Sequence, residues 1–143
     1  MMFGSEVKPD RILMGNLDTG LDLLEAFQDM CRTHNIRLGQ LQAIGAVRKA
    51  CIGYYDQLKC EYQYQTLNRP LEITGLIGNI SLKDGQPFVH AHLTLGDRGG
   101  QVFGGHLASG TVVFACEYLI RIFKGPQFDR TFHRETGLSL WDS

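Results

Sequence analysis

The chain predicts an α+β fold: a strongly twisted antiparallel sheet of about seven strands with one main α-helix packed on it. Three observations predict it. Only one segment, residues 19–35, repeats its apolar residues at helical spacing. From Leu38 onward, β-prone runs alternate with turn residues almost to the end. The 143 residues, 43% of them hydrophobic, suffice for one buried core, and no repeat or linker divides them. A single unit over residues 8–140 is expected.

Taken in order, Arg11–Gly15 reads as a short first strand. Thr19 with Asp22 three residues later resembles a capping box that opens the helix. Leu21, Leu24, Phe27, Met30 and Cys31 form its apolar stripe. Asn35, which tolerates the left-handed conformation, ends it. Leu41–Val47 and Ala50–Asp56 are β-prone, with Arg48-Lys49 as the expected turn between them. Glu61–Gln65 alternates polar and aromatic residues like a half-exposed strand. Leu71–Leu82 is apolar but carries Gly75 and Gly78, which predict bulges or close backbone approach. Asp84-Gly85 is a strong hairpin-turn signal. A histidine-bearing hairpin follows, then the apolar run Thr111–Phe123, broken at Gly125-Pro126, and a tail reaching Trp141.

The hairpin carries the chemistry. Its first strand holds His90-Ala91-His92, and Gly104-Gly105-His106 lies in its second. With Gly96–Gly100 taken as the loop, His90 falls opposite His106, and directly opposed residues share a sheet face. His92 is two residues along on that face, and its expected partner Gly104 leaves room above the sheet. The opposite face, Val89, Ala91, Leu93, Leu95 and Phe103, reads as core. Three neutral imidazoles on one patch suit Zn²⁺, with a fourth position open to water or a ligand. Two other readings stay open: an outward face that is merely polar, and histidines lining a subunit contact. A bulge at the paired glycines would break the alignment.

A formal net charge of −1 excludes nucleic-acid binding by overall attraction, leaving only a local patch. No apolar run reaches membrane-spanning length and the N-terminus lacks a secretory pattern, so a cytoplasmic protein is expected. Cys31, Cys51, Cys60 and Cys116 form no Cys-x-x-Cys and are expected as free thiols, with Cys116 buried.

Arg69–Gly78, Gly85-Gln86-Pro87, His90-Ala91-His92 and Gly104-Gly105-His106-Leu107 occur here in an ordered series. With the upstream helix, Ala43–Val47 and Val112–Ile120, that series resembles the PPC domain, conserved in plants and prokaryotes. The resemblance implies a homotrimeric α+β fold and, from the plant members that carry AT-hooks, an association with DNA. It resembles the stand-alone prokaryotic form. The Arg-Gly-Arg core with which an AT-hook enters the minor groove is absent from this sequence.

Two functions follow. One is a homotrimeric, DNA-associated assembly module in which His90, His92 and His106 hold zinc. The other is a zinc-dependent enzyme or small-ligand binder using the same three histidines. For the second, Glu117 and Glu72 are candidate general bases, or else ion-pair partners of Arg121 and Arg69.

Overall fold

The computed structural model describes residues 4–141 and has the expected α+β class, with one helix and nine strands rather than seven. In chain order these are β1 (Lys8–Leu17), α1 (Leu23–Thr33), β2 (Gly39–Asp56), β3 (Glu61–Leu67) and β4 (Leu71–Lys83). They are followed by β5 (Gln86–Gly96), β6 (Val102–Leu107), β7 (Val112–Lys124), β8 (Asp129–His133) and β9 (Leu138–Trp141). All pairings are antiparallel except a short parallel one between β4 and β8.

The sheet closes on itself because β2 changes partners along its 18 residues. Its first half lies between β7 and β4, and its second half pairs with β3 and β6. With β4 on β5 and β5 on β6, strands β2, β4, β5 and β6 form a closed circuit. The turn expected at Arg48-Lys49 does not exist. Register shifts against β7 between Ala46 and Val47 and between Val47 and Lys49 bend the strand instead, as bulges do. Gly45, at φ 146°, sits beside the first of these; a Cβ there would come within 2.1 Å of the Ala115 carbonyl oxygen.

The helix starts later than the sequence pattern suggested. Asp22 is its N-cap, its carboxylate accepting from the Leu24 and Glu25 amides, each at 3.1 Å. Thr19 instead donates to the Phe114 carbonyl at 2.7 Å. The buried stripe is Leu23, Phe27 and Cys31, with Leu24 and Met30 at its margin, while Leu21 is exposed. Asn35 ends the helix as expected, at φ 50°, in a Schellman arrangement. Its amide reaches the Arg32 carbonyl, and the Ile36 amide the Cys31 carbonyl.

The helix covers the face of β5 that carries Val89, Ala91, Leu93 and Leu95, all buried with it in one core. Gln28 ties the two together: its side-chain amide donates to the Pro87 carbonyl and its Oε1 accepts from the Val89 amide at 3.0 Å. The histidines therefore lie on the face of β5 turned away from the helix. Gly78 opposes Ala91 so closely that a Cβ would meet the His90 carbonyl oxygen at 2.6 Å, and the β4–β5 register shifts between Ile73 and Gly75. Both uses expected of the β4 glycines are present. All four cysteines are free thiols; burial pushes Cys31 up to about 12 and Cys116 up to about 11. No helix among the described residues is long and apolar enough to cross a membrane.

Candidate metal centre

The β5–β6 ladder is unbroken from His92 opposite His106 to Gly96 opposite Val102. The loop is thus Asp97–Gln101, one residue further along than expected. Asp97 sets this: its Oδ1 accepts from the Gly99 amide at 2.8 Å and the Gln101 amide at 3.0 Å, and Gly100 takes φ 78°. His106 consequently faces His92, not His90, and Gly104 faces Thr94. The sheet face is unchanged, because sliding the register by two positions preserves the alternation that a slide of one would invert.

His90, His92 and His106 converge, each offering a ring nitrogen within 4.8 Å of the others'. Their ring centroids are 5.1–5.5 Å apart. His92 is exposed and the other two are half-buried. Behind His106 stands Tyr62, with ring centroids 4.8 Å apart, backed by Tyr55 and Tyr64. Opposite His90 on β4 is Asn79.

The residues fit a divalent metal. The donors are three imidazole nitrogens, the set that suits zinc. At about 2.0–2.1 Å from a tetrahedral ion, ligand nitrogens lie about 3.4 Å apart, a closure that modest ring rotation supplies. His106 Nδ1 is buried and has no hydrogen-bond partner, an otherwise costly state for a polar atom. Burial and the neighbouring Arg130, His106 and His92 hold His90 down to about 4, and burial, His92 and Arg130 lower His106. Both are therefore neutral at pH 7, as a metal requires of its ligands.

The two carboxylates singled out as bases are elsewhere. Glu117 is exposed on β7 opposite Asn16 and Ile44, and Glu72 lines a separate groove with Arg48 and Phe114. Neither makes the expected ion pair: Arg69 lies 3.7 Å from Asp97, and Arg121 donates to Gln42 at 2.8 Å. The carboxylate lining the cavity beside the histidines is Glu61.

Sequence reasoning missed Arg130. It lies 40 residues from His90 in the chain, yet its Nη2 is 3.5 Å from His90 Nδ1. Its Nε donates to Ser81 Oγ at 3.1 Å, Nη2 to Asn79 Oδ1 at 2.9 Å and Nη1 to the Ser139 carbonyl at 3.2 Å. The rings of Phe88 and Trp141 flank it at 5.3 and 5.5 Å. No local motif marks this residue; only the parallel pairing of β8 with Leu82 and Lys83 of β4 brings it here.

Fold and site together define an α+β sheet domain with a surface cluster of three histidines. The chain belongs to the Plants and Prokaryotes Conserved (PCC) domain family, whose profile matches residues 4–124. It is 43% identical to a metal-containing protein of Archaeoglobus fulgidus, with TM-score 0.94 over 99% of this chain and all of that one. A plant- and prokaryote-conserved protein of Pyrococcus horikoshii is 36% identical, with TM-score 0.93 over 99% of this chain and 98% of its own. A protein of Ralstonia eutropha JMP134, provisionally described as DNA-binding, is 26% identical, with TM-score 0.80 over 91% and 90%. The chain is also 31% identical over 102 residues to the bifunctional protein GlmU of a Synechococcus strain, spanning 71% of its own length but only 15% of that protein.

Proposed function

We propose that this chain is a metal-binding PCC-domain protein in which His90, His92 and His106 hold a divalent ion, zinc first. The carrying observation is the convergence of one ring nitrogen from each histidine within 4.8 Å, together with a His106 Nδ1 buried without a partner. The metal-containing Archaeoglobus relative supports the same reading. Three protein ligands leave a coordination position for a small ligand, and zinc held this way supplies Lewis acidity and an acidified water.

Elemental analysis of the purified protein tests this, with His92→Ala alongside. The expected result is near-stoichiometric metal in the parent and a loss of about 10-fold or more in affinity in the variant. A parent that neither carries nor takes up zinc refutes the reading.

The assembly proposed with this site is a homotrimer. Across the face bearing the histidines runs one row of opposed residues, Met14, Leu119, Gln42, Ile77, His92 and His106. Met14 and Ile77 are 75% and 59% exposed on it, an apolar area that self-association would cover. Light scattering is expected to give three times the chain mass.

Association with DNA is the second reading, favoured by the description of the Ralstonia relative. Its test is duplex binding that weakens steeply with salt. Absence of binding at low salt leaves the metal site and assembly alone.

A further inference from the structure

The family match ends at residue 124, yet the chain continues into the β8–β9 hairpin, which walls one side of the histidine cluster. Between that hairpin, β3 and β5 lies a cavity of about 300 Å³. His90 and His106 reach it from one side, Arg130 and Lys83 supply cationic groups, and Leu138 and Leu140 give it an apolar wall. We propose that this cavity binds a small organic carboxylate, one carboxylate oxygen held by the Arg130 guanidinium and the other by the metal on the three histidines.

Charge and fixity favour this ligand, whose second contact rests on the metal reading above. Three neutral imidazoles bring no negative charge to a divalent ion. Among the described residues the charged groups lining the cavity are Lys83, Arg130 and Glu61, two cations to one carboxylate before the metal is counted. Such a site favours an anion at its open position. Arg130 is held by Ser81, Asn79 and the Ser139 carbonyl, and flanked by two aromatic rings, so its planar fork is preorganised rather than mobile. Among the described residues the guanidinium's own hydrogen-bond partners are neutral oxygens and an imidazole; the Asp129 carboxylate takes only the Arg130 backbone amide, at 2.9 Å. A guanidinium matches a carboxylate in shape and charge. The volume, at the low end of small-molecule pockets, and the leucine wall fit a short organic chain behind that carboxylate.

Trp141, the only tryptophan, lies over Arg130 at 5.5 Å and reports on the site by fluorescence. The zinc-loaded protein is titrated with propionate, its neutral counterpart propionamide, and inorganic phosphate, with calorimetry in parallel. Saturable binding of propionate but not propionamide is expected. Arg130→Gln is expected to weaken it about tenfold or more at unchanged zinc content, and Arg130→Lys less. Equal binding of propionate and propionamide overturns the proposal, as does binding indifferent to Arg130→Gln, and phosphate preferred over propionate reassigns the site to an inorganic oxyanion. The comparison of the two probes on the parent protein stands even if the variants fold poorly. Failure to load zinc would sink the metal reading itself, whereas zinc loading without propionate binding sinks only this one.

Discussion

Two hairpins meet at the histidine cluster and are held in opposite ways. The β5–β6 hairpin is fixed by apolar burial: Val89, Ala91, Leu93 and Leu95 are all at most 3% exposed and share one core with the helix. The β8–β9 hairpin has no fully buried residue along either strand. It is attached through a two-residue parallel pairing with β4, the polar contacts of Arg130 and Asp129, a 2.6 Å hydrogen bond from Tyr55 Oη to the Thr136 carbonyl, and Trp141 against Phe128. The proposed metal ligands therefore stand on strands backed by the core, and the proposed anion-binding arginine on a hairpin held mainly by polar and ring contacts. Burial fixes the backbone under the coordinating rings, whereas hydrogen bonds and ring contacts fix the guanidinium itself.

The largest test of that contrast removes the burial under the histidines. Leu93→Ala is expected to cost about 2–5 kcal/mol of global stability, read by denaturant unfolding, because its side chain is fully enclosed. An equally large loss from Leu140→Ala in β9, where the residue is 37% exposed, would break the distinction between the two hairpins.

Next in size is the effect of zinc. An ion held by the native state alone at 100 times its Kd adds about 2.7 kcal/mol. Hydrogen exchange is expected to slow most in β5 and β6, whose side chains would hold it, and far less in β9. Slowing confined to β9 would mean that the ion sits elsewhere.

Smaller again is the local effect of Arg130→Met. Global unfolding is expected to move by about 1–2 kcal/mol, the scale of lost hydrogen bonds at a half-buried group, while amides of β8 and β9 lose protection selectively. A uniform loss of protection across β4 and β5 would show that the hairpin is integral to the core.

The same contrast explains what the sequence made legible. Alternation alone puts His90, His92 and His106 on one face opposite a core face of Val89, Ala91, Leu93 and Leu95, and that survives an error of two in register. The register itself depended on Asp97 capping the loop, which turn length cannot distinguish from a loop starting at Gly96. The unbroken 18-residue β2 was hidden because bulges beside Arg48-Lys49 interrupt its alternation as a turn would. Glu117 looked like a buried acid only because it interrupts an apolar run; it is the exposed residue after buried Cys116 on β7. Arg130 had no signal at all, since its place depends on a parallel pairing between β4 and β8 that no spacing announces.

The smallest expected effect separates the two hairpins by pH. His90 is held down to about 4, chiefly by burial and then by Arg130, against an ordinary value of 6.5. Between those values the unfolded chain binds the proton that the native state refuses, so stability falls as pH drops from 6.5 towards 4 and is unaffected by this group above 6.5. His106, lowered for similar reasons, adds in the same direction. Solvent screening at these half-buried rings keeps the contribution modest. Unfolding midpoints of the metal-free proteins at pH 7.5, 6 and 5 should therefore decline less in His90→Gln than in the parent protein. Arg130→Met should flatten the decline as well, because removing the guanidinium and opening the wall both let His90 take up its proton more easily. If His90→Gln flattens the profile and Arg130→Met does not, the β8–β9 hairpin contributes nothing to the electrostatics of the histidines, and the two regions are adjacent without being coupled.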